Sequence, residues 1–113
     1  MAVKGSDQPA EINRARRVQR GQVDISARID LHGMTQAEAD RRLPQFVAAQ
    51  RGQGARCILI ITGKGRGGQG VLRRNFLAWL SQPSARAHVS AYAPAHARHG
   101  GGGAFYVFLR RRA

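Results

Sequence analysis

The sequence predicts an α/β domain of the α+β-like, two-layer kind, with a mixed four-stranded sheet and the element order β-α-β-α-β-β. Three observations predict it. Arg56-Cys57-Ile58-Leu59-Ile60-Ile61-Thr62 is a nearly continuous apolar run, the pattern of a strand buried on both faces in a parallel pair. A shorter strand pattern at 28–31 and a helix-periodic segment precede it, which makes a right-handed strand–helix–strand crossover. A second helical pattern at 71–81 follows, and then two more strand patterns, at 88–92 and 104–109.

Taken in order, residues 1–21 read as a polar and basic extension and residues 22–113 as the domain. The first nine residues are loosely patterned, and disorder is expected there. Residues 11–20 fit a short basic helix stopped by Gly21, and equally a solvated basic arm. Val23 and Ile25 alternate with polar neighbours as an extended lead-in to the first strand, which turns Ile29 and Leu31 into the core. Thr35 and Glu38 have capping-box spacing, and Ala39, Leu43, Phe46 and Val47 follow at helical spacing. That helix should reach about Gln50 and stop before Gly52. Pro44 either kinks it or restarts it from a first-turn position. In the second helix Val71, Leu72, Phe76, Leu77, Trp79 and Leu80 form a wide apolar face, so Trp79 belongs to the core. Pro83 lies just beyond the end of that helix. Between the last two strands, Pro94-Ala95-His96-Ala97-Arg98-His99 and four glycines make a basic loop that reads as flexible.

Charge narrows the function more than length does. The 113 residues suffice for one domain with its own core. There are 19 basic and 6 acidic residues, and every acid lies at or before Asp40. Residues 1–40 are therefore neutral, and the formal +13 belongs to residues 41–113. Genomic base composition explains 17 Arg against 2 Lys, but not the missing acids. A cationic surface of this kind suits a polyanion, and nucleic acid is the expected partner. The single cysteine, Cys57, excludes an internal disulfide and reads as a buried small hydrophobe. No apolar segment reaches the roughly 20 residues of a membrane span, and the N-terminus lacks a signal-peptide core. A cytoplasmic protein without a membrane partner is expected.

Two stretches carry chemistry. In Ile29-Asp30-Leu31-His32-Gly33 the acid and the imidazole are two apart, so on a strand they share one face. A carboxylate there can orient an imidazole and raise its proton affinity. Alone, such a pair more often caps a turn. The second stretch, Gly63-Lys64-Gly65-Arg66-Gly67-Gly68, fits the dinucleotide fingerprint literally, but no acid follows at the ribose-binding distance. Nor is it a Walker loop, because Gly65 rather than Ser or Thr follows Lys64. Its glycines, with Lys64 and Arg66 before a helix start, still suit a phosphate. Both stretches leave the C-terminal ends of parallel strands, the customary ligand edge of open α/β sheets.

Asp30-Leu31-His32-Gly33, Thr62-Gly63-Lys64-Gly65, Gly70-Val71-Leu72-Arg73 with Trp79-Leu80, and Gly102-Gly103-Ala104-Phe105-Tyr106-Val107 with Leu109-Arg110-Arg111 occur in this order. Together they resemble the small MutS-related (Smr) domain over about residues 22–112. The resemblance implies a β-α-β-α-β-β sandwich like the C-terminal domain of translation initiation factor three. It also implies a nuclease or nucleic-acid-binding module, some members being ribosome-associated. Carried over, the acid–histidine signature falls on Asp30, Leu31, His32 and Gly33, and the glycine signature on Thr62, Gly63, Lys64 and Gly65. Some members have histidine where Thr62 stands, so a second motif imidazole is absent here. The chain resembles the stand-alone branch of the family.

The expected activity is phosphodiester cleavage, with RNA favoured over DNA. Asp30 and His32 are the candidate catalytic pair. Gly33, Thr62, Gly63, Lys64, Gly65, Arg66, Arg73, Gly102 and Gly103 are the candidate phosphate or nucleic-acid contacts. No cofactor is required by this scheme, although Mg or Mn is compatible with it, and no residue is assigned to a metal. Two alternatives stand beside it: a non-catalytic nucleic-acid or ribosome-binding module, and a metal-dependent DNA-nicking endonuclease. His88, His96 and His99 are too scattered to read as a metal site, though His99 could supply a general acid.

Overall fold

A computed structural model of the chain describes residues 9–64 and 70–112. The elements are helix α1 (Pro9–Arg20), strand β1 (Ala27–Asp30), helix α2 (Gln36–Gly52), strand β2 (Cys57–Ile61), helices α3 (Val71–Leu80) and α4 (Pro83–Arg86), and strands β3 (Val89–Pro94) and β4 (Ala104–Leu109). The expectation of disorder at the N-terminus falls on residues 1–8 and Pro9. Residues 1–8 lie outside the described residues, and Pro9 opens α1.

The sheet is mixed and four-stranded, in the order β1-β2-β4-β3. β1 pairs parallel with β2, and β4 pairs antiparallel with both β2 and β3. Residues two apart on a strand share a face, which divides the core in two. On one face Ile29, Ile58, Ile60, Phe105 and Val107 meet Ala39, Leu43 and Val47 of α2 and Phe76 of α3. On the other, Cys57, Leu59, Tyr106 and Phe108 meet Val18 of α1. β2 is thus buried on both sides, as its unbroken apolar run requires. Burial pushes the Cys57 thiol up to about 12, so it is a packing group and not a nucleophile.

To the expected two-layer frame α1 adds a cover over the second sheet face. Of the two readings open for residues 11–20, the helix is the one realised. Val18 is fully buried, and the Arg14 guanidinium lies 4.4 Å from the centroid of the Phe108 ring. The helix ends in a Schellman arrangement, with the Gly21 amide donating to Val18 O at 3.1 Å and the Gln22 amide to Arg17 O at 2.8 Å. Gly21 has φ +67, and a Cβ there would lie 2.6 Å from Arg98 Cδ and 2.8 Å from His96 Cγ. Gly21→Ala is therefore expected to cost about 1–2 kcal/mol, from the left-handed backbone and the close contact together. Thermal denaturation checks this.

The capping box of α2 is realised. The Thr35 hydroxyl accepts from the Glu38 amide at 3.1 Å, and Glu38 Oε1 accepts from the Thr35 amide at 3.2 Å. Those bonds hold the Glu38 carboxyl below its ordinary range, the Thr35 amide contributing most. Pro44 sits inside a single uninterrupted helix rather than restarting one. It sacrifices one backbone hydrogen bond, while Leu43 and Val47 beside it are buried. Gly52 is included in α2, and the backbone reverses at Gly54, with φ +86. Trp79 is half-buried against the first core.

Two connections take definite shape. Pro83 lies just beyond the end of α3, as expected, and opens the one-turn helix α4. The glycine-rich segment between β3 and β4 is shaped into 3-10 turns at Ala97–His99 and Gly101–Gly103, with φ +117 at Gly100 and +55 at Gly101.

Candidate functional site

The parallel pairing of β1 with β2 brings the segment after Asp30 and the segment after Ile61 out at one sheet edge, since Asp30 is opposite Ile61. β4 runs the other way, and Ala104 at its start is opposite Ile61. Three chain segments far apart in sequence therefore meet: Asp30 to Gly33, Thr62 to Lys64, and Gly102 to Gly103.

β1 ends at Asp30, and Leu31 remains tied to the sheet through its amide, which donates to Ile61 O at 2.7 Å. Leu31 is 1% exposed and anchors the turn. Asp30 and His32 on either side of it face outward. Asp30 Oδ1 takes the His32 backbone amide at 3.0 Å and lies 2.7 Å from His32 Nδ1. Partial burial raises the Asp30 carboxyl, but the imidazole and amide of His32 outweigh it, so the carboxyl titrates below its ordinary value. The carboxylate thus occupies Nδ1 and leaves Nε2 as the free edge of an imidazole that is 64% exposed.

Gly63 lies directly against this pair. Its φ is +78, and an added Cβ would sit 3.3 Å from His32 Cβ. Gly103 packs in turn on Gly63, where a Cβ would meet Gly63 C at 3.1 Å and Lys64 Cγ at 3.3 Å. The Gly103 carbonyl accepts from both the Thr62 and Gly63 amides, at 2.9 and 3.0 Å. This corrects the expectation that these loop amides face a phosphate. Both are committed to Gly103, because only two glycines allow the backbones to approach so closely. Thr62 is 5% exposed, and its hydroxyl donates to Gly63 O at 3.0 Å, so it too acts inside the loop. Lys64, next along the chain, is exposed.

The remaining candidates divide clearly. Gly65 and Arg66 lie outside the described residues. Arg73, in the first turn of α3, holds its guanidinium 5.3 Å from the centroid of the Phe105 ring. Gly33 and Gly102 are open, since a Cβ at either meets nothing within 4 Å. Gly33 also lacks a positive φ, so the fold does not demand glycine there. Gly33→Ala is therefore expected to leave stability within about 0.5 kcal/mol of the parent, while any loss of nucleic-acid binding or turnover reports close approach of a ligand. Melting and RNA titration measure the two sides of that prediction.

His88 lies beside Arg51, with its Nδ1 3.3 Å from Nη1. His99 Nδ1 is hydrogen-bonded to the Tyr106 hydroxyl, which also accepts from the His96 amide at 3.2 Å. Among the described residues no group of three or more His, Cys, Asp or Glu side chains comes together. None of the helices among them is long and apolar enough to cross a membrane. Sequence reasoning passed over Arg28, which is exposed on the face of β1 that carries Asp30. The same two-residue spacing that joined Asp30 to His32 would have found it.

Comparison with known proteins agrees with this fold. A family model described as the Smr domain matches residues 29–110. Curated relatives include the ribosome rescue factor SmrB of Escherichia coli O9:H4 (strain HS), 30% identical over 95 residues that cover 84% of this chain and 49% of that protein. The protein of the same name from Shigella boydii serotype 18 matches equally, at 30% over 95 residues. The chain spans about half the length of these relatives. Among solved structures, YdaL, a stand-alone small MutS-related protein from Escherichia coli, superposes with a TM-score of 0.74 at 28% identity, covering 96% of this chain and 82% of that one. The Smr domain of Thermus thermophilus MutS2 superposes with a TM-score of 0.57 at 30% identity, covering 74% of this chain and 98% of that one. Matched by the family model over most of its length, the chain belongs to the Smr domain family.

Proposed function

We propose that this chain is an RNA endonuclease in which His32 is the general base. In this reading residues 22–113 are the working domain, and residues 1–21 are an extension. One observation carries the reading: an exposed imidazole, oriented by a carboxylate at 2.7 Å, stands against a glycine loop on a strongly cationic chain. His32 Nε2 takes the proton of a ribose 2′-hydroxyl, and Asp30 stabilises the imidazolium that forms. Lys64, and Arg66 beyond it, supply positive charge to the phosphoryl oxygens. The scarcity of carboxylates supports an imidazole-centred rather than a two-metal reaction, since every acid lies at or before Asp40. The name of the relatives, ribosome rescue factor, supports RNA on the ribosome as the partner, and with it a cytoplasmic place of action.

A binding module without catalysis is the second reading. It is favoured by the bond from the His32 backbone amide to Asp30 Oδ1, since that bond shapes the turn whatever the imidazole does. The test compares an RNA oligonucleotide with its all-2′-deoxy counterpart. Cleavage of the RNA alone, leaving 2′,3′-cyclic phosphate ends, is expected. Equal cleavage of both would overturn the 2′-hydroxyl mechanism, and binding without cleavage would leave the module.

A further inference from the structure

The Asp30–His32 pair supplies one imidazole, yet cleavage by a 2′-hydroxyl needs a second proton transfer, to the departing 5′-oxygen. Asp30 cannot give it, since its carboxyl is held in the charged form. The sheet register points to the group that can.

Asp30, Ile61 and Ala104 stand in one row across β1, β2 and β4, and Arg28, Leu59 and Tyr106 stand in the row two residues away. Leu59, Ala104 and Tyr106 are buried in the second core, and Ile61 packs against it, so all six side chains project from one sheet face. Tyr106 therefore shares a face with Asp30, with one strand between them, a separation of about 10 Å across the sheet. The Tyr106 ring is buried, and its hydroxyl meets the His99 imidazole, with the two rings edge to face at 5.5 Å between centroids. Both ends of the loop carrying His99 are held. At one end the His96 amide donates to the Tyr106 hydroxyl, and His96 and Arg98 crowd Gly21. At the other the Gly103 carbonyl receives the Thr62 and Gly63 amides beside His32. Such anchoring exceeds what a solvated surface histidine requires.

We propose that His99 is the general acid of this site, fixed by Tyr106 and facing the His32 base across the scissile phosphate. The proposal rests on the reading of the site as an RNA endonuclease. His32 removes the 2′-hydroxyl proton, the 2′-oxygen bonds to phosphorus, and the bond from phosphorus to the 5′-oxygen breaks. That oxygen takes the proton from Nε2 of the His99 imidazolium. Nδ1–H of the same ring donates to the Tyr106 oxygen, whose second lone pair accepts the His96 amide. His32 then gives its proton to water and His99 regains one, which closes the cycle.

Partial burial, followed by the charges of Arg98, His96 and Arg28, holds the His99 imidazole below its ordinary value in the free protein. A phosphodiester arriving among those arginines opposes this field and favours the charged ring.

The test uses the full chain and one RNA oligonucleotide, made either all-oxygen or with sulfur replacing the 5′-bridging oxygen at the mapped cleavage position. A thiolate leaves without being protonated. His99→Ala is expected to slow the all-oxygen RNA by about 10²-fold or more and the sulfur RNA by less than about threefold, whereas His32→Ala slows both. Tyr106→Phe, which keeps the buried ring, is expected to show a weaker form of the His99→Ala pattern. Equal slowing of both substrates by His99→Ala, slowing of neither, or a wild type that cleaves only the all-oxygen RNA would overturn the proposal. Failure of the wild type on both RNAs would instead bring down the endonuclease reading beneath it.

Discussion

His32→Ala is expected to lower RNA cleavage by about 10²–10⁴-fold, or about 3–5 kcal/mol of barrier, while RNA affinity and melting temperature stay close to the parent values. The imidazole is 64% exposed, so its removal opens no cavity. The chain turn survives as well, because the backbone amide at residue 32, not the ring, makes the turn bond to Asp30 Oδ1 at 3.0 Å. Surface changes of this kind usually cost no more than about 0.5 kcal/mol. Asp30→Asn separates the two roles of the carboxylate. The amide oxygen can still accept the His32 amide, but no negative charge remains to stabilise the imidazolium, so activity falls with little loss of fold. Should His32→Ala cleave as the parent does, the pair is only a turn.

The second large effect is at Gly63. Gly63→Ala is expected to cost about 1–2 kcal/mol of stability from the left-handed backbone alone. The catalytic loss should be larger than that figure implies, at least about tenfold. An added Cβ lies 3.3 Å from His32 Cβ, so either the ring or the Gly63 backbone must move, and the Gly103 contact blocks the backbone from behind. Urea denaturation and single-turnover cleavage measured on one preparation check both numbers. The contrast with Gly33→Ala is the informative part. Gly63 is glycine for the fold and the site together, whereas nothing in the fold asks for glycine at Gly33.

Much of this arrangement was legible in the sequence because it follows from local periodicity. The unbroken apolar run placed β2 between two buried faces, and the span of β4, Ala104–Leu109, coincides with the apolar run that predicts it. Thr35 and Glu38 announced the start of α2 through their own side chains. Spacing by two residues put Asp30 and His32 side by side. What escaped depends on contacts between distant residues. The helix at residues 11–20 could not be separated from a basic arm, since its docking relies on Val18 entering a core built by Leu59, Tyr106 and Phe108. The loop at 94–103 reads as flexible from composition, yet it is tied down by Tyr106, Gly21 and Gly63, none of which lies within it. The Thr62 and Gly63 amides look free to meet a phosphate until the Gly103 carbonyl, forty residues on, is found to hold both. Pro44 is tolerated within α2 because burial of Leu43 and Val47 outweighs one missing hydrogen bond, an example of tertiary packing overriding local propensity.

An oriented imidazole is expected to cleave RNA without a metal ion. The direct measurement is cleavage of end-labelled RNA and DNA by the purified chain in excess chelator, with His32→Ala run alongside. RNA is expected to be cut in chelator and DNA is not, and His32→Ala is expected to slow the cutting by about 10²-fold or more. Cleavage of DNA alone, lost on chelation and indifferent to His32, would contradict this.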